Sequence, residues 1–139
     1  MAHPSFLAAS FYVATGGAAG AWLRFLVGRL TVAWLGPVRA SAFPWATLTV
    51  NVLGCLAMGA LVGWMARHGG IGGLGSEATR LLLGVGLLGG FTTFSSFSLE
   101  IVLLAERGAI GLAAIYVSLS LAAGVDGLIG GLAMMRAPA

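Results

Sequence analysis

Between Arg80 and Ile101 the chain reads Leu81-Leu82-Leu83-Gly84-Val85-Gly86-Leu87-Leu88-Gly89-Gly90-Phe91-Thr92-Thr93-Phe94-Ser95-Ser96-Phe97-Ser98-Leu99-Glu100. The 19 residues from Leu81 to Leu99 carry no charge. About 20 apolar residues, rising 1.5 Å each, cross the roughly 30 Å hydrocarbon layer of a bilayer. The stretch therefore reads as a membrane span. Its middle is a poor helix interior, because Gly89-Gly90 followed by Thr92-Thr93 combines weak helix formers. A break there frees backbone carbonyls at mid-membrane depth. Such carbonyls persist only where they line a cavity or meet a partner such as a bound cation.

The same criterion finds three more spans. Phe6 to Leu23 is uncharged and stays apolar past Arg24 and Arg29 to Leu35. Trp45 to Ala66 gives 22 uncharged residues, and Gly108 to Val125 gives 18, continuing past Asp126 to Met135. The spans fall at about 6–35, 45–66, 78–105 and 108–135 within a single transmembrane domain over residues 1–139. Pro44 is expected to start the second helix and Ser76 to cap the third. A tight turn is expected near Glu106-Arg107-Gly108. The N-terminus lacks a positive region ahead of its apolar run, so Phe6 onward reads as a first span rather than a signal peptide.

Composition agrees. Of 139 residues 59% are hydrophobic and 8% charged, against about 25% charged in soluble domains. Seven Arg stand singly, with no Lys and a net charge of +3, so there is no basic run or patch of the kind that binds nucleic acid. The one cysteine, Cys55, excludes a disulfide framework or an iron–sulfur cluster. No His pair, Ser-His-Asp set or carboxylate pair shares a helix face, so an enzyme is not expected. With the N-terminus inside, Arg67, Arg80 and Arg136 would be cytoplasmic and Arg29, Arg39 and Arg107 external. That balance removes any positive-inside preference. It predicts insertion in both orientations and an antiparallel homodimer in the lipid bilayer. The expected fold is an all-α membrane protein of four transmembrane helices, the third broken, assembling as that dual-topology dimer.

Glycine supplies 23 residues. The pairs Gly16/Gly20, Gly59/Gly63, Gly86/Gly90 and Gly127/Gly131 offer faces on which helix backbones can approach closely. Polar residues within the spans each need a reason, since a central charge costs about 2.5 to 3.5 kcal/mol. Arg24 either snorkels or pairs with Glu100, or lends positive charge to a watery vestibule. Asn51, with Thr47 one turn before it, is interhelical glue or a pore-facing amide donor. Tyr116 and Ser120 are spaced i, i+4, with Gly124 on the same face, forming a line of hydroxyls. Asp126 has no assigned role. Phe94 and Phe97 either fill core or present positive ring edges to a small anion.

Three motifs carry a family resemblance: Gly16-Gly17-Ala18-Ala19-Gly20-Ala21-Trp22-Leu23-Arg24, Thr47-Leu48-Thr49-Val50-Asn51-Val52-Leu53-Gly54 and the segment Gly89 to Glu100. In this order they resemble the Fluc (CrcB-type) fluoride channels across almost the whole chain. The resemblance implies a dual-topology dimer in the bacterial cytoplasmic (inner) membrane, with two antiparallel pores that export fluoride passively. It also implies a structural sodium ion held by the backbone carbonyls of Gly89 and Thr92, one set from each subunit. Phe94 and Phe97 match the aromatic pore residues, Asn51 the pore amide, Arg24 the vestibule arginine, and Tyr116 with Ser120 the hydroxyl track. Thr47 joins Asn51 on the expected ion pathway. Ala46, Ser96 and Gly124 depart from the commonest pattern, where Gly, Thr and a further Ser stand. A small dual-topology multidrug exporter is the alternative, but it needs an acid deep in the first span, where this chain has Arg24.

Overall fold

The computed structural model describes residues 4–67 and 74–136. Four helical stretches among them are long and apolar enough to cross a membrane: Phe6–Ala42, Trp45–Arg67, Glu77–Glu106 and Ile110–Arg136. The first, α1 (Phe6–Ala42), begins with the Ser5 hydroxyl accepting from the Ala8 amide at 3.3 Å. It breaks at Gly36, whose φ of 77° and ψ of 158° leave the helical region just before Pro37. The connection between the expected first and second spans, residues 36–44, is thus mostly a short helical extension running to Ala42. Helix α2 (Trp45–Arg67) follows, with the Pro44 carbonyl accepting its first bond from the Leu48 amide at 3.1 Å.

The third span is built in pieces. Helix α3 (Leu74–Thr79) starts two residues before Ser76, so Ser76 lies inside the helix and not at its cap. A π-helical segment follows over Arg80–Leu88, then a single helical turn, α4 (Gly89–Phe91). At Thr92 (φ −80°, ψ 160°) and Thr93 (φ −152°, ψ 119°) the backbone is extended. Within the expected Gly89–Thr93 segment the break therefore falls at the threonines, while Gly89-Gly90 remain helical. β-Branched threonine accepts extended backbone readily. Helix α5 (Phe94–Glu106) resumes with the Thr93 hydroxyl accepting from the Ser96 amide at 3.2 Å.

The turn after α5 forms a Schellman cap. The Ala109 amide donates to the Leu104 carbonyl and the Gly108 amide to the Ala105 carbonyl, both at 2.9 Å. Gly108 takes the left-handed conformation this motif needs, at φ 74°. Helix α6 (Ile110–Arg136) completes the chain.

Glycine decides how the helices pack. A Cβ on Gly86 would lie 2.9 Å from both Gly16 Cα and the Val13 carbonyl, and one on Gly90 would lie 2.6 Å from the Gly17 carbonyl. The α1 backbone thus touches the third span's backbone directly. A second seam joins α2 to α6, where a Cβ on Gly131 would meet the Ala60 amide at 2.6 Å and one on Gly63 the Leu132 carbonyl at 3.1 Å. Dispersion between closely packed backbones is what holds helices together in a solvent as apolar as the side chains. Near the other end of α6, Leu48, Leu104, Ala113 and Tyr116 form a buried cluster, ringed by Phe43, Val52, Phe97 and Ile101.

Candidate ion pathway

The break in the third span is clamped from α2. Asn51 Oδ1 accepts from the Thr93 amide at 2.8 Å, and Asn51 Nδ2 donates to the Thr93 carbonyl at 3.2 Å. One side chain thereby satisfies both backbone groups of an extended residue that has no strand to pair with. Asn51 therefore has its carbonyl oxygen and one N–H bound to backbone, with one N–H remaining of the two its amide carries. Gly54, one turn further along α2, leaves room for the Thr92 methyl; a Cβ there would overlap it.

The clamp has consequences for the carbonyls behind it. In an unbroken helix the Gly89 carbonyl accepts from the Thr93 amide, and the Thr92 carbonyl from the Ser96 amide. Here those amides donate to Asn51 Oδ1 and to Thr93 Oγ1 instead. The oxygens of Gly89 and Thr92 thus lose their helical donors at the depth where the helix breaks. Gly89 is exposed and Thr92 half-buried in the single subunit. Residue types and positions fit a hard cation bound by backbone oxygen.

Glu100 gathers a second group. Thr47 Oγ1 donates to one carboxylate oxygen and Tyr116 Oη to the other, both at 2.7 Å. Tyr116 is fully buried, with the Phe97 ring centroid 5.2 Å away and the Phe43 ring meeting it edge-on at 5.5 Å. The pairing of Arg24 with Glu100 is not formed. Arg24 is carried on α1, which packs on the π-helical segment and α4, whereas Glu100 faces α2 and α6. Among the described residues Arg24 and Asp126 have no hydrogen-bonding or ionic partner.

Ser120, one turn beyond Tyr116 on α6, differs from four other hydroxyls of the spans. Thr15, Thr31, Thr92 and Ser98 each donate to the carbonyl four residues earlier, at 2.7 to 3.0 Å. The Ser120 hydroxyl is buried and bonds to nothing among the described residues. Phe94 and Phe97 stand 5.9 Å apart at the start of α5. Phe94 is 80% exposed, whereas Phe97 is half-buried against Tyr116. Thr47, Asn51, Phe97, Tyr116 and Ser120 thus gather on the inner faces of α2, α5 and α6, with Phe94 beside them facing outward and Arg24 apart on α1. Sequence reasoning did not place Glu100 or Thr93 among the site residues. The signal for Glu100 was present, since it is the one acid closing a 19-residue uncharged run.

The sequence pattern described as CrcB-like protein, Camphor Resistance (CrcB), matches residues 11–132, which contain all of these groups. The chain belongs to the CrcB family. A relative from Novosphingobium aromaticivorans named fluoride-specific ion channel FluC is 55% identical over 130 residues, covering 94% of this chain and 98% of its own. Proteins of the same name from Rhodospirillum centenum and Erythrobacter litoralis are 52% identical over 124 residues and 47% over 131. They are covered over 92% and 93% of their length, and cover 89% and 94% of this chain. The family pattern thus takes in the broken span, the Asn51 clamp and the Glu100 cluster together.

Proposed function

We propose that this protein is a passive fluoride-selective channel of the bacterial inner membrane, built as an antiparallel dimer with two pores. The name borne by relatives about half identical to the chain supports the substrate. The buried Ser120 hydroxyl is the observation that carries the mechanism. A hydroxyl that neither bonds its own helix nor meets a neighbour leaves a donor desolvated, at about 1 to 3 kcal/mol. A small, strongly hydrated anion passing that point receives the donor it needs in place of water. The remaining Asn51 N–H offers a second donor, and the ring edges of Phe94 and Phe97 add weaker positive contacts. Thr47 and Tyr116 orient their protons to Glu100, so in this geometry they position the carboxylate and line the route. Arg24 supplies positive charge at a vestibule.

The dimer reading rests on the balanced arginines and on the carbonyls of Gly89 and Thr92. One subunit offers the Gly89 and Thr92 oxygens without their helical donors, and a two-fold axis near Thr92 brings two such pairs together. A sodium ion bound there would offset the negative ends of four carbonyl dipoles inside the membrane.

Purified protein in liposomes is expected to release fluoride down its gradient and to nearly exclude chloride. Chloride release at a comparable rate rejects the reading. A tag on the N-terminus is expected on both membrane faces in similar amounts, measured by protease protection; one orientation alone removes the antiparallel dimer.

A further inference from the structure

Beyond Glu100 lies a cavity of about 190 Å³, whose lining includes Ala40, Ser41, Phe43, Pro44, Glu100 and Arg107. Glu100 is both part of this lining and the acceptor for Thr47 and Tyr116, so the cavity abuts the hydroxyl cluster directly. Arg107 caps α5 seven residues after Glu100. Seven residues are about two turns, so the two side chains share one side of the helix about 10 Å apart along its axis. One guanidinium N–H donates to the Ser41 carbonyl at 3.2 Å. A guanidinium carries five donors, and among the described residues the others of this exposed side chain have no partner. Arg39, the other arginine near this end, lines a separate apolar cavity with Leu35, Leu112 and Ile115.

A carboxylate beside an anion route repels the anion it should admit. We propose that Arg107 is the ion-gathering residue at this end of the pathway: its guanidinium concentrates fluoride in the cavity against the charge of Glu100 and so sets the entry rate. The inference rests on the fluoride-channel reading above. A unit charge about 6 Å from an ion in a watery cavity attracts it enough to raise its local concentration about threefold. The Debye length is about 30 Å at 0.01 M ionic strength and about 3 Å at 1 M, so salt removes the effect. A purely structural role, holding the Ser41 carbonyl against α5, has no such dependence.

The test measures initial fluoride efflux from liposomes at low fluoride, in about 0.01 M and about 1 M of an impermeant organic salt that screens the guanidinium. Wild type, Arg107→Gln, Arg107→Lys and Arg39→Gln are compared, with assembly of each checked by size exclusion. At about 0.01 M salt Arg107→Gln is expected to release fluoride about threefold more slowly than wild type. Arg107→Gln is expected to match wild type only at high salt, and Arg107→Lys to follow wild type at both. A loss in Arg107→Gln that persists at high salt, no loss at low salt, or an equal loss in Arg39→Gln overturns the proposal. So does a loss in Arg107→Lys at low salt, which keeps the charge and tests the proposal even if Arg107→Gln fails to assemble. Absence of any wild-type fluoride efflux rejects the channel reading itself, which separates that failure from the others.

Discussion

The seam between α2 and α6 and the break at Thr92-Thr93 lie next to each other and are built on opposite principles. The seam works through missing side chains: Gly59, Gly63, Gly127 and Gly131 let two backbones touch, and both helices run through it unbroken. The break works through missing hydrogen bonds, which Asn51 and the Thr93 hydroxyl redirect so that the Gly89 and Thr92 carbonyls are released. In a bilayer the first arrangement gains packing, and the second is tolerable only where something polar arrives to use the freed groups. Rigidity and function are thereby assigned to different chemistry within one small bundle.

The sharpest way to break this contrast is to give a seam glycine a side chain. Gly131→Val places its Cβ against the Leu56 carbonyl oxygen and 2.6 Å from the Ala60 amide nitrogen, and neither backbone group can yield. Overpacking of this kind costs about 1 to 3 kcal/mol or more. Loss of a monodisperse peak on size exclusion is expected, with fluoride efflux lost along with the fold.

A substitution at the break should instead remove function while sparing assembly. Phe94 is 80% exposed and among the described residues its ring meets that of Phe97, so Phe94→Ile should cost the subunit under about 1.5 kcal/mol of stability. Fluoride efflux is expected to collapse in a protein that elutes normally. Phe97→Ile also removes a ring packed on Tyr116, so it should lose both flux and some thermal stability. Normal flux in both variants would leave the ring edges without a role in conduction.

The smallest effect belongs to a glycine in neither arrangement. Nothing lies within 4 Å of a Cβ built on Gly28, and Gly within a helix is about 0.5 to 1 kcal/mol worse than Ala. Gly28→Ala should therefore raise the melting temperature slightly and leave flux unchanged. A fall in stability would mean that another chain lies against Gly28 in the assembled protein.

Much of the fold was legible because hydrophobic length is a local property. Uncharged runs mark the four spans, and Gly-xxx-Gly spacing marks the seams, since residues four apart share a helix face. The site was less legible, because its bonds join distant residues. Asn51 reaches Thr93 across 42 positions and Thr47 reaches Glu100 across 53. Spacing along one helix could show Tyr116 and Ser120 as a pair, but not that Tyr116 donates to a carboxylate while Ser120 donates to nothing among the described residues. The position of the break turned on the same point: Gly89-Gly90 has the weaker helix propensity, yet the partner that stabilises extended backbone, Asn51, faces the threonines. The break at Gly36 was signalled by its neighbour Pro37, whereas the helical turn after it had no periodic pattern to announce it.

The π-helical stretch over Arg80–Leu88 acts on azimuth. Its i→i+5 bonding packs about one more residue into each turn than an α-helix does, so it turns the chain less per residue. The direction in which Glu77 and Arg80 point is thereby uncoupled from the direction of Gly89 and Thr92, although both sets sit on one span. Loss of a single residue from this stretch could be absorbed by reversion toward α-helical winding. The salt bridge of Glu77 with Arg80, 2.7 Å long, would swing around the axis while the break stayed in phase with Asn51. Length variation at this end of the protein is thus buffered before it reaches the ion-handling half.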